Sequence, residues 1–170
     1  MESKISKSFL ITVFLSLVLF SSSFAQKVYV FELKDDIGPS SWRTVKQVYD
    51  SAQSKKVDYV LMELNTYGGA LNFADSIRSK LLDSKIKTIV YINNNAASAG
   101  ALISLASDYI YIHPGGSIGA ASVVNAKGEV LPEKYQSYMR GLMRATAEAK
   151  KRDPQLAESF VDPNVSAPHI

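Results

Sequence analysis

Apolar residues fall along this chain in two alternating rhythms. "VYVFEL" (28–33), "YVLMEL" (59–64), "TIVYI" (88–92) and "YIYIH" (109–113) are short runs rich in β-branched and aromatic residues, the composition of buried strands. Between them the apolar spacing widens to three and four. Val45, Val48, Tyr49 and Ala52 form a helical stripe from Trp42 onward, with Ser40 or Ser41 placed to cap its first turn. Leu71, Ala74, Ile77 and Leu81 form a second stripe. Ser98 to Ala106 is almost wholly apolar, so the short helix it predicts is buried. After a turn at "NAKG" (125–128), Pro132 opens a last long helix to about Lys151, with Tyr135, Tyr138, Met139, Leu142, Met143 and Thr146 as its inner stripe. Strand–helix alternation of this kind predicts a mainly parallel sheet with right-handed crossovers, an α/β fold. The tail "DPNVSAPHI" reads as irregular chain, as though the last part of the domain were missing.

The first 25 residues follow a different pattern. "MESKISK" carries two lysines, "FLITVFLSLVLF" is a twelve-residue apolar run, and "SSSFA" ends in small residues. That is the order of a cleavable export signal, with the cut before Gln26, so residues 26–170 are expected to be the working domain. Its expected place is periplasmic or otherwise extracytoplasmic. The apolar run is short for a membrane anchor, although retention as one is the alternative.

Composition then narrows the chemistry. With Lys and Arg at 19 against Asp and Glu at 16, the net charge is only +3, and no basic cluster interleaves with aromatics, so nucleic-acid binding has no support. The absence of cysteine excludes disulfides and thiol catalysis.

Two loops leave strands at the edge where open α/β sheets carry their sites. "NTYGG" places Gly68 and Gly69 between a strand and a helix, where bare backbone can approach a ligand. The plain alternative is a tight turn. "NNNAASAGALISLA" sets Ser98 among Ala97, Ala99 and Gly100 at a helix start, whose free N–H groups suit a forming oxyanion. The plain alternative is a serine that only caps its helix. A nucleophilic serine needs a base. Of the two histidines, His113 ends a strand and reads as structural, and His169 lies in the loose tail. Lysine can serve once desolvation favours its neutral amine. Lys134, in the first turn of the last helix after "LP", opposes the helix dipole and has Tyr135, Tyr138 and Met139 as apolar neighbours. An exposed lysine is the plain alternative there, and Lys127 in the "NAKG" turn is the next candidate.

Taken together, "ELNTYGGAL", "NNNAASAGALISLASD", "PGGSIGAASVV" and "LPEKYQSYMRGLMRATAEAKKRD", in this order behind an export signal, resemble the protease domain of the NfeD-like (nodulation-efficiency) membrane-associated serine proteases. These belong to the ClpP/crotonase superfamily, close to signal peptide peptidase A. The resemblance spans about residues 27–165 and implies a crotonase/ClpP-like fold of repeated β-β-α units. It implies a serine endopeptidase with Ser98 and Lys134 as catalytic dyad, and Gly68, Gly69 and the N–H of Ala99 as oxyanion hole. No cofactor or metal is implied. Expected partners are peptides or proteins with an apolar segment, membrane-protein tails among them, and further copies of the chain in a dimer or larger assembly. Tyr67 stands where the family commonly has proline. Members also often continue into transmembrane helices and a small β-barrel domain.

Three other readings stay open from the sequence. An esterase with the outline of a nucleophile elbow in "AASAG" needs His169. A crotonase-type acyl-thioester enzyme fits poorly with export. A truncated or inactive domain that binds membrane-protein segments needs neither residue of the dyad.

Overall fold

The computed structural model describes residues 25–162. The export segment up to Phe24 and the tail from residue 163, His169 included, lie outside the described residues. The described chain alternates strand and helix as the apolar pattern requires: β1 (Val28–Lys34), α1 (Pro39–Ser54), β2 (Tyr59–Thr66), α2 (Leu71–Asp83), β3 (Lys87–Ala97), α3 (Ala99–Leu105), β4 (Tyr109–Ile112), β5 (Ser117–Gly119), α4 (Glu133–Ala149) and α5 (Pro154–Ser159).

β1, β2, β3 and β4 lie side by side in sequence order, all parallel, and β5 also pairs with β3. Val60, Met62, Leu64, Val90 and Ile92 point to one face of this sheet and are fully buried under the helices. That face meets Val45, Tyr49 and Ala52 of α1, Ala74, Ile77 and Leu81 of α2, all of α3, and Met139 and Met143 of α4 in one continuous core. On the opposite face Val28, Val30, Tyr109 and Tyr111 are exposed.

Several elements depart from the sequence expectation. α1 starts at Pro39 rather than Trp42 because proline fits the first helical position. Ser41 accordingly sits inside the first turn, where its hydroxyl donates to the Asp36 carbonyl at 2.8 Å and accepts from the Gly38 N–H at 3.3 Å. β3 runs five residues further than its apolar core suggests. It pairs with β4 only as far as Ile92 and with β5 from Asn95, and its register against β2 slips between these points. The three asparagines mark that exchange of partners. Asn93 donates to Glu63, Asn65 accepts the Asn95 N–H, and Asn95 accepts from Ser117, so side-chain amides replace the broken ladder.

α4 also turns a different face inward. Gln136, Met139, Met143, Thr146 and Ala147 are buried, whereas Tyr135 and Tyr138 are exposed. α5 was not expected at all, although Asp153 caps it and Pro154 opens it. Just before it, Arg152 donates to the carbonyls of Leu105 and Ser107 at 2.9 Å and of Asp108 at 3.3 Å, closing the C-terminal end of α3. Among the described residues no helix is long and apolar enough to cross a membrane.

Candidate active site

Ser98 is the single residue between the end of β3 and the start of α3, and the turn is sharp enough to hold it at φ 53°, ψ −113°. Positive φ is unfavourable for a residue with a side chain, so the surrounding structure must enforce it. Part of that enforcement is visible. The Ser98 N–H donates to the Gly119 carbonyl at 2.8 Å, and α3 is buried along its whole length. Gly100 lets α3 approach β2, since a Cβ there would meet the Thr66 methyl at 2.7 Å. The Ser98 hydroxyl makes no capping hydrogen bond to its own helix. The plain reading of this serine as a helix cap therefore does not describe the fold.

The glycine loop lies directly beside it. Gly68 (φ +128°) and Gly69 (φ +147°) both take conformations that side chains rarely adopt. A Cβ on Gly68 would stand 2.8 Å from the Ser98 Cβ, and one on Gly69 would run into the Ile37 carbonyl oxygen at 2.2 Å. The loop is stapled to the segment after β1: Ile37 N–H donates to Gly68 O at 2.7 Å, and Ala70 N–H to Ile37 O at 2.8 Å. Thr66, fully buried, donates its hydroxyl to the Asp35 carbonyl and accepts the Gly68 N–H at 3.1 Å. Among the described residues the N–H groups of Gly69 and Ala99 meet no acceptor. The N–H of Gly68 is thus committed to Thr66, while those of Gly69 and Ala99 remain available beside the serine.

Ser98 opens into a cavity of about 190 Å³ between Gly69–Leu71, the start of α3, the segment Ala121–Val124 and Met139. Its walls are small or apolar. Segment 121–124 has its inner edge occupied: Ala121 N–H donates to Phe160 O, and Val123 bonds to Leu131 and to the Gln136 side chain. The backbone N–H and C=O of Ser122 and Val124 find no partner among the described residues.

The predicted residues are therefore only partly brought together. Gly68, Gly69, Ser98 and Ala99 converge. Lys134 stands in the exposed first turn of α4, its ammonium 4.9 Å from the centre of the Tyr135 ring, and does not line the cavity. Lys127 is exposed in the turn that joins Val124 to Val130. His113 is exposed at the end of β4, edge-on to Tyr91, and also lies away from the cavity lining. Sequence reasoning did not assign Ala121–Val124 or Gln136 to the site, and Met139 entered it only as an apolar neighbour of Lys134. "ASVVN" carries no chemistry that would single it out, and a glutamine between two tyrosines reads as a solvated position.

A parallel sheet flanked by helices in this order is the fold of ClpP-like protease domains. ClpP1 of Listeria monocytogenes shares this fold (TM-score 0.64, 22% identity, 80% of each chain). The chain belongs to the NfeD1b N-terminal domain family, whose pattern matches residues 27–170. It is 31% identical over 145 residues to the membrane protein NfeD1b of Bacillus subtilis (strain 168), covering 85% of this chain and 33% of that one. It is 29% identical over 147 residues to the membrane-bound protease PH1510 of Pyrococcus horikoshii, covering 82% and 33%. The chain thus spans about a third of the length of these relatives. The 1510-N membrane-bound stomatin-specific protease, solved as a lysine-to-alanine mutant with a substrate peptide, superposes with a TM-score of 0.78 at 27% identity over 84% of this chain and 68% of that one. A serine-to-alanine mutant of the same protease superposes with a TM-score of 0.76, covering 84% and 73%.

Proposed function

We propose that this domain is an exported serine endopeptidase that works with a Ser98–Lys134 dyad on extended, apolar peptide segments. The observation that carries the reading is that Ser98, packed against Gly68, makes no capping hydrogen bond and adjoins the unpaired N–H groups of Gly69 and Ala99. Ser98 Oγ attacks the peptide carbonyl as the Lys134 amine takes the proton. Gly69 and Ala99 donate to the oxyanion, a contribution of about 10²–10³ in rate per donor in other enzymes. Gly68, expected as a third donor, serves chiefly by leaving room for the serine. The lysine then protonates the leaving amine and activates the water that releases the acyl group. The Lys134 ammonium lies over Tyr135 and outside the cavity lining, so the dyad requires a rearrangement that brings it to Ser98.

The substrate is proposed to lie along Ser122 and Val124, pairing with their unused backbone groups while its side chains meet the apolar walls. Stomatin-type membrane proteins are the substrate class suggested by the solved relative, and the resemblance suggests a dimer or larger assembly. An extracytoplasmic, membrane-associated location is proposed, supported by the export pattern and by relatives that are membrane proteins.

The test is covalent labelling of the purified chain with a fluorophosphonate. Labelling at Ser98 in the parent, and in neither Ser98→Ala nor Lys134→Ala, supports the dyad. Labelling that survives Ser98→Ala rejects the nucleophile. Labelling that survives Lys134→Ala at the parent rate rejects the base. No labelling in any sample favours an inactive domain that binds membrane-protein segments.

A further inference from the structure

Gln136 is a polar side chain in the core, only 6% exposed, on the buried face of α4. Its amide is fully engaged with backbone. Oε1 accepts the Val123 N–H at 2.9 Å, and Nε2 donates to the Val123 carbonyl at 2.8 Å and to the Leu131 carbonyl at 3.0 Å. A side-chain amide bonded to both groups of one residue does what a neighbouring β-strand would do. Leu131 N–H donates to the same Val123 carbonyl at 2.9 Å, so Gln136 ties together both arms of the 123–131 turn and α4.

The consequence lies on the other edge. In extended backbone, the groups of successive residues point to opposite sides. Fixing Val123 inward therefore fixes Ser122 and Val124 outward, toward the cavity beside Ser98. Ser122 is held from below as well, its hydroxyl donating to the Val161 carbonyl at 2.8 Å. We propose that Gln136 is a positioning residue: it holds segment 121–124 as a rigid edge strand on which the substrate peptide aligns its scissile bond with Ser98. It touches neither substrate nor the reacting atoms. This rests on the protease reading above.

The test separates alignment of a long substrate from the chemistry at Ser98. Gln136→Met keeps the volume and removes all three hydrogen bonds; Gln136→Glu keeps the volume and the acceptor for Val123. Each is compared with the parent full chain on a quenched-fluorescent apolar decapeptide, on p-nitrophenyl butyrate and on fluorophosphonate labelling, with a thermal melt as fold check. The short ester and the fluorophosphonate need no strand partner. Loss of two of the hydrogen bonds proposed between the substrate and segment 122–124 predicts a fall of at least about tenfold in kcat/KM for the decapeptide, carried by KM, with ester turnover and labelling within about threefold of parent. Gln136→Glu sets a carboxylate oxygen, which cannot donate, against the Val123 and Leu131 carbonyls, so it should fall at least as far on the decapeptide. Equal loss on long and short substrates, or no loss on the decapeptide, overturns the proposal. So does loss of the folded state in both variants, which would make Gln136 a folding determinant. A parent that neither labels nor cleaves rejects the protease reading itself.

Discussion

A methyl group on Gly68 would lie 2.8 Å from the Cβ of Ser98 and 3.2 Å from its Oγ, so the serine occupies space that the adjacent loop leaves by lacking a side chain. Gly68→Ala is disfavoured twice, by that contact and by φ +128°. The expected cost is about 1–3 kcal/mol of stability. Displacing the hydroxyl by a fraction of an ångström to one ångström should lower labelling at Ser98 by about 100-fold. Gly69→Ala strikes backbone, the Ile37 carbonyl at 2.2 Å, which cannot rotate away, so it should destabilise more than Gly68→Ala. Thermal melts of the two variants, with labelling rates on the folded protein, check both statements. A Gly68→Ala chain labelled at the parent rate would remove the steric link on which the site is built.

Ser98 itself is held at an unfavourable backbone conformation, which persists only because the surrounding structure over-determines it. Glycine tolerates φ 53° without that strain, at the cost of a more disordered unfolded chain. Ser98→Gly should therefore be more stable than Ser98→Ala by about 1 kcal/mol, or roughly 2–4 °C in melting temperature. Both variants should be inert to the fluorophosphonate. Equal melting temperatures would show that the turn is relaxed and that the serine pays nothing for its position.

The central sheet was legible because its strands are short apolar runs, and Ser98 because small residues around a serine at a strand-to-helix junction are unusual company. The extension of β3 through Asn93–Asn95 was not legible: its polar side chains bond to neighbouring strands, which a hydrophobic pattern cannot register. α4 was misread for a related reason. Tyr135 and Tyr138 look like core residues and Gln136 does not, yet the glutamine's amide finds backbone partners in the interior and the phenol rings stay outside. Lys134 follows from that rotation, since a face that buries Gln136 carries its neighbour two positions earlier outward. The cap and proline of α5, Asp153 and Pro154, were present in the sequence, but the helix they open is six residues long and shows no full period of apolar spacing.

Arg152 offers a test of how α3, and so Ser98, is held from its far end. Its guanidinium satisfies carbonyls of Leu105, Ser107 and Asp108, and burial lowers its pKa while the nearby Asp108 charge opposes that shift. Arg152→Met should cost about 2–3 kcal/mol, because charged donors are lost from carbonyls that then lack partners. Arg152→Lys should recover only part of this, since an ammonium cannot span three acceptors in the geometry of a planar fork. Urea titration of the three proteins measures the order; a lysine variant as stable as the parent would show that charge alone is what the site requires.

Tyr49 connects stability to alkaline pH. Its ring is buried under α1, its hydroxyl forms a short hydrogen bond with the fully buried Thr88, and Lys80 lies 6.0 Å from the ring centre. Burial raises the phenol pKa well above its usual value; the Thr88 hydrogen bond opposes this and the Asp108 charge reinforces it. The folded state thus binds the phenolic proton more tightly than the unfolded chain, where tyrosine titrates near about 10. The corresponding stability is complete below that pH and is lost as pH rises above it, by up to about 1.4 kcal/mol per pH unit. Tyr49→Phe has no such proton to lose. At pH 7 it should be less stable than the parent by about 1–2 kcal/mol, because the Thr88 hydroxyl loses its partner in the core. Above pH 10 the parent should fall toward the variant, so that the two curves of unfolding free energy against pH converge. Urea melts of both proteins at half-unit steps from pH 7 to 11 measure this directly, and curves that stay parallel through pH 9–11 would mean that the buried phenol does not control the alkaline limb.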